Sequence, residues 1–252
     1  MEKIFQQYKD EINDGFCNTE YDEALKNGWI YRYHPELLPY IGKQYNKYRI
    51  LCVGESHYLS KQTENFSYDL EEWYFNNLAE QIYDENNPLH TNFSSFFTRY
   101  VLFKHIVGKE RGAGYSMFYR PAKACCDVIG CDEDKVWEYF AFMNYYQRPA
   151  CVRGKSIDDD KRDDILLKLN LDYICSIIRP HKIIFLSKKA YNDWIETELQ
   201  SDTVAPYEAA SYPVSHPTSH WWERKRKDGG CAKNDFVRVI KETIEFVKLI
   251  EG

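Results

Sequence analysis

No apolar run in these 252 residues approaches the ~20 that a membrane-spanning helix requires. The amino-terminal segment MEKIFQQYKDEIND is polar and charged rather than leader-like, so a soluble cytoplasmic protein is expected. There is no CxxC pair among the eight cysteines, and their spacing matches none of the usual ligand patterns. Cys125, Cys126, Cys131 and Cys151 form the only cluster, and neither a metal nor any cofactor is expected. Cys52 and Cys175 sit inside apolar segments, as reduced core cysteines do. An excess of positive charge is also missing: the net charge of −6 excludes a generally basic nucleic-acid coat and still permits a local basic patch. Internal repeats and low-complexity tracts are absent, which favours a single domain over residues 1–252, monomeric, with 1–45 as a helical amino-terminal extension.

Aromatics are abundant, with 21 Tyr, 14 Phe and 6 Trp. Buried tyrosine hydroxyls need partners, so part of this set must lie at the surface or line a groove. The most informative stretch is residues 49–58, RILCVGESHY. Ile50, Leu51, Cys52 and Val53 read as a buried strand, and Gly54 lets the chain leave it through a conformation side chains obstruct. Glu55, Ser56, His57 and Tyr58 then arrive together at the carboxyl end of that strand, the edge at which open α/β sheets bind ligands. A polar turn with a helix cap is the plainer alternative.

Further strands are predicted over residues 136–147, ending at Asn144, over 182–187, and over 209–214. Helices are predicted at two places within 1–30, at several within 60–110, at 123–130, at 165–178, from Lys188 onward, and at 236–250. In the 165–178 helix, Ile165, Leu166, Leu169, Tyr173, Cys175, Ile177 and Ile178 are expected to form the apolar face. Strands alternating with helices predict an open, mostly parallel sheet covered on both faces. Three polar clusters then converge on one edge: residues 55–58, Asn144-Tyr145-Tyr146, and His216-Pro217-Thr218.

These clusters, in this order and with these strand contexts, resemble the uracil-DNA glycosylase superfamily over about residues 49–222. That likeness implies an α/β fold, a three-layer α/β/α sandwich with a mainly parallel four-stranded central sheet. It implies a DNA-repair hydrolase that flips a base out of single- or double-stranded DNA and cuts its N-glycosidic bond. On the matching positions Glu55 or His57 would handle water, Asn144 would read the base edge, and His216 would stabilise the leaving group. Gly54, Ser56, Tyr58, Phe66, Tyr145 and Thr218 would line the pocket, with Tyr58 or Phe66 stacking on the base. The loop after His216, with Ser219, Trp221, Trp222, Arg224, Lys225 and Arg226, would wedge the duplex and hold phosphates, helped by Lys188. A solvated charged loop with both tryptophans tucked inward is the alternative for that segment.

The chain departs from the family where Asp, Asn or Ala and then Pro usually follow the polar residue of the first motif: Ser56 and His57 stand there. Two other readings therefore remain open. One is a catalytically inactive nucleic-acid or nucleotide binder of the same fold. The other is a serine esterase, because Gly54-Glu55-Ser56 with a late His216 is similar to the nucleophile loop of GDSL/SGNH hydrolases. That family has Asp three residues before its histidine, where this chain has Pro213.

Overall fold

The computed structural model describes residues 16–58, 68–75, 98–106, 109, 112, 115–150, 155–200 and 210–251. Phe66 and the helix read near Ile4 and Ile12 lie outside the described residues, as does the side chain of Tyr58. Five strands make the main sheet: β1 (Tyr40–Ile41), β2 (Ile50–Gly54), β4 (Phe140–Asn144), β6 (Lys182–Phe185) and β7 (Ala210–Pro213). Their order is β1-β4-β2-β6-β7. The last four run parallel in register, whereas β1 pairs antiparallel to β4 through Tyr40 and Phe142. The fold is α/β as expected, but the sheet is five-stranded and mixed rather than four-stranded and mainly parallel. Two residues beside the break at Leu38-Pro39 are too few for any periodicity, so β1 leaves no trace in the pattern. Both are fully buried, which makes part of the supposed extension a piece of the core.

Alternation along β2 explains the layers. Ile50 and Cys52 join one apolar cluster, with α5 (Ser116–Ile129) and α8 (Ala232–Glu251) supplying Phe118, Ala122, Phe236 and Ile240. Leu51 and Val53 join another, with α6 (Lys161–Ile178) and α7 (Lys188–Gln200) supplying Leu167, Leu171, Ala190 and Trp194. Burial on both faces is why these strands read as continuous apolar runs. The remaining described helices are α1 (Asp22–Lys26), α2 (Tyr45–Tyr48), α3 (Leu70–Phe75) and α4 (Thr98–Ile106). Among the described residues no helix is long and apolar enough to cross a membrane.

Two sequence readings shift. The strand expected over 136–147 is a 3-10 helix, Glu133–Tyr139, followed by β4. Trp137 is buried there with its indole N–H donated to Phe118 O at 3.0 Å, so apolar density marked a packed turn as well as a strand. In α6 the buried stripe is Leu167, Leu171, Ile174 and Ile178, while Ile165 and Leu169 face solvent. That helix carries apolar residues on two sides. Lys168 and Asn170, which look polar, go inward because Asp172, Glu198 and Tyr31 meet them.

Candidate functional site

Gly54 ends β2 directly beside Asn144, the last residue of β4. The two chains then run on together, with Tyr145 N–H bonded to Gly54 O (3.0 Å) and Tyr146 N–H to Glu55 O (2.9 Å). Beyond a short gap they pair again as β3 (His57–Tyr58) and β5 (Pro149–Ala150), a two-stranded parallel ladder above the main sheet. A Cβ at position 54 would overlap Asn144 Oδ1 and Met117 Cε and come within 3.0 Å of the Phe142 ring. Gly54 is thus required by the close approach of the Asn144 side chain. Gly54→Ala is expected to cost about 1–3 kcal/mol by overpacking, read as a lower denaturant midpoint, and to push the Asn144 amide out of place.

Asn144 is buried, and among the described residues its side-chain amide makes no hydrogen bond. Glu55 is held from two sides. Ser187 Oγ donates to Oε2 at 2.7 Å, and Ile157 N–H donates to Oε1 at 3.2 Å. Ser187 follows β6, and Ile157 belongs to a strap that crosses the edge before α6. The chain passes from β2 to β4 on one side and from β6 to β7 on the other, so Glu55 and Ser187 meet at the switch point of the sheet, the usual ligand crevice of such folds.

His216 comes from the loop after β7. Thr218 N–H donates to its Nδ1 at 3.2 Å, and Thr218 Oγ1 lies 2.6 Å from the same atom. A backbone amide can only donate, so Nδ1 presents a lone pair and the neutral ring carries its proton on Nε2. Arg120 of α5 anchors the loop through Pro217 O at 2.8 Å, and Ser219 N–H closes a turn onto His216 O at 2.9 Å. Burial pushes the imidazole below its ordinary 6.5, with the nearby Glu55 carboxylate pulling weakly the other way. The unfolded chain therefore takes up this proton first as pH falls. Stability is expected to decline as the pH drops through 6.5 and to stop declining, on this group's account, below the lowered folded value. Denaturant titrations from pH 5 to 8 check this, and His216→Gln should remove that part of the slope.

Other candidate residues are dispersed. Tyr145 is buried against Phe185 and Tyr146, with its hydroxyl raised well above the usual tyrosine range mainly by desolvation. His57 is buried in β3, one step beyond Glu55 and Ser56. Ser56 Oγ is buried and, among the described residues, meets no hydrogen-bond partner, so it lacks the histidine contact an activated serine nucleophile uses. Trp221 is 50% exposed, with the Arg224 guanidinium 4.4 Å above its ring and His220 at 4.6 Å. Trp222 is only 1% exposed and packs on Phe236, a core position rather than a surface wedge. Lys188, Arg224, Lys225 and Arg226 are all exposed, and Arg226 is in addition paired with Asp235 at 2.6 Å. Among the described residues no group of three or more His, Cys, Asp or Glu is arranged to hold a metal ion.

Ser187, Ile157 N–H and Arg120 were not legible as site residues. Only the serine carries a signal, a hydroxyl closing an apolar strand three residues before Ala190, as an N-cap does. Compared with protein-family models, with curated proteins and with solved structures, the chain matches none.

Proposed function

We propose that this chain is a DNA N-glycosylase that hydrolyses the bond between deoxyribose and a flipped uracil or otherwise damaged base, within a three-layer α/β/α framework. What supports the reading is topology: Glu55 follows β2, Asn144 ends β4 and His216 follows β7, all parallel strands of one sheet. Asn144 is the register neighbour of Gly54, the residue immediately before Glu55.

The chemistry follows from the three groups. As the C–N bond lengthens, positive charge grows on the sugar and negative charge on the base. The His216 Nε2–H donates to the oxygen where that negative charge collects, and its neutral state avoids handing over a whole proton. The Glu55 carboxylate orients water and accepts its proton while the water oxygen bonds to the anomeric carbon. It is favoured over His57 because two donors fix its orientation. The Asn144 amide, with a donor and an acceptor open, reads the base edge.

A panel of single- and double-stranded oligonucleotides carrying uracil, hypoxanthine, xanthine or alkylated bases tests this, with abasic sites as the readout. Excision that disappears in Asn144→Ala supports the reading, and a full panel with no abasic product sinks it. Ser56, where the family usually has Asp, Asn or Ala, favours a second reading as a non-cleaving binder. Binding without product would establish it. In either case Lys225→Ala is expected to flatten the salt dependence of binding by about one ion. Arg226→Ala should weaken binding through a looser loop, because that side chain is committed to Asp235. Fluorescence anisotropy across a salt series separates the two.

A further inference from the structure

We infer that Ser187 is a positioning residue for Glu55, and that its single hydroxyl couples the start of α7 to the water-handling carboxylate. The inference rests on the glycosylase reading above. Ser187 is 2% exposed, and its Oγ has one proton to give and lone pairs to offer. Ala190 N–H donates to Oγ at 3.3 Å, in the arrangement of a helix N-cap. That contact occupies a lone pair and leaves the proton for Glu55 Oε2 at 2.7 Å, a charge-assisted bond. The other oxygen, Oε1, receives Ile157 N–H at 3.2 Å. With both oxygens engaged, the carboxylate plane is fixed between β6 and the strap. The free lone pair of each oxygen then points in a direction the helix start dictates. The opening of α7, with its aligned amides, adds a field that suits a carboxylate ion.

Without the hydroxyl, Glu55 keeps one anchor and swings about it. Misplacement of a reacting group on the order of 1 Å can lower a rate about 100-fold. A helix cap and an orienting bond are normally separable roles, and here one atom performs both.

Ser187→Gly separates them, because glycine serves nearly as well as serine at an N-cap. Ser187→Gly is expected to keep its melting temperature within a few degrees of the parent and to lose about 10- to 100-fold in kcat, with KM little changed. Ser187→Thr, which restores the hydroxyl, should recover most of the rate. In a Glu55→Gln background Ser187→Gly should cause no further loss. A loss of equal size in that background would make Ser187 merely structural and overturn the inference. A second readout does not need turnover. The 13C carboxyl resonance of Glu55, assigned by its disappearance in Glu55→Gln, should shift in Ser187→Gly and return in Ser187→Thr. An unmoved resonance overturns the coupling even in an active enzyme. A moved resonance in a protein that excises nothing keeps the coupling and rejects the glycosylase reading alone.

Discussion

His216→Ala is expected to lower the rate of base excision by about 100- to 1,000-fold, or about 2.7–4 kcal/mol of transition-state stabilisation, the usual consequence of removing one oriented oxyanion donor. The loss should fall on kcat, since the charge that Nε2–H meets exists only as the bond breaks. Folding should survive, because the loop is held by backbone atoms: Arg120 reaches Pro217 O, and Ser219 N–H reaches His216 O. The pH profile carries a second check. A neutral imidazole kept below its ordinary 6.5 by burial should sustain the rate on the acid side of that value, until Nδ1 is protonated and Thr218 N–H loses its acceptor. Single-turnover kinetics from pH 4.5 to 8 would reveal that limb. A variant that retained the parent rate across this range would remove histidine from the chemistry.

The sequence discloses long elements and strand ends better than it discloses what braces them. Apolar runs such as residues 50–53 and 183–186 register as strands because both faces are covered, and glycine or polar residues mark where they stop. Hence the strand ends at Gly54 and Asn144 could be placed on one edge from order alone. Trp221 and Trp222 show the opposite case: adjacent identical side chains give no hint which faces Phe236 and which faces solvent. Lys168 and Arg148 were equally opaque, because their burial depends on acidic partners contributed by other turns and elements. Pairing of distant charges has no period, and so no sequence pattern reports it.

Asp163→Ala is expected to destabilise the fold by about 3–5 kcal/mol, the cost of leaving a buried cation unpaired. Arg148 Nε and Nη2 both donate to Asp163 Oδ2, at 2.8 and 2.6 Å, while Tyr74 O–H donates to Oδ1 at 2.8 Å. Desolvation pushes the Asp163 carboxyl up and Arg148 opposes it, so the pair is held by mutual neutralisation inside the protein. For a chain of this length that loss lowers Tm on the order of 10 °C, measurable by calorimetry. Replacing both partners by leucine and methionine should cost much less than Asp163→Ala, because no charge is then stranded. The same lock bears on the site. Arg148 Nη2 also donates to Asp158 O at 2.7 Å, and Asp158 follows Ile157, whose N–H holds Glu55. The double replacement should therefore be more stable than Asp163→Ala yet excise more slowly than the parent, since it also removes the Arg148 bond that fixes the strap. A parental rate in the double variant would mean that the strap orients itself, and that Ile157 needs no help from Arg148.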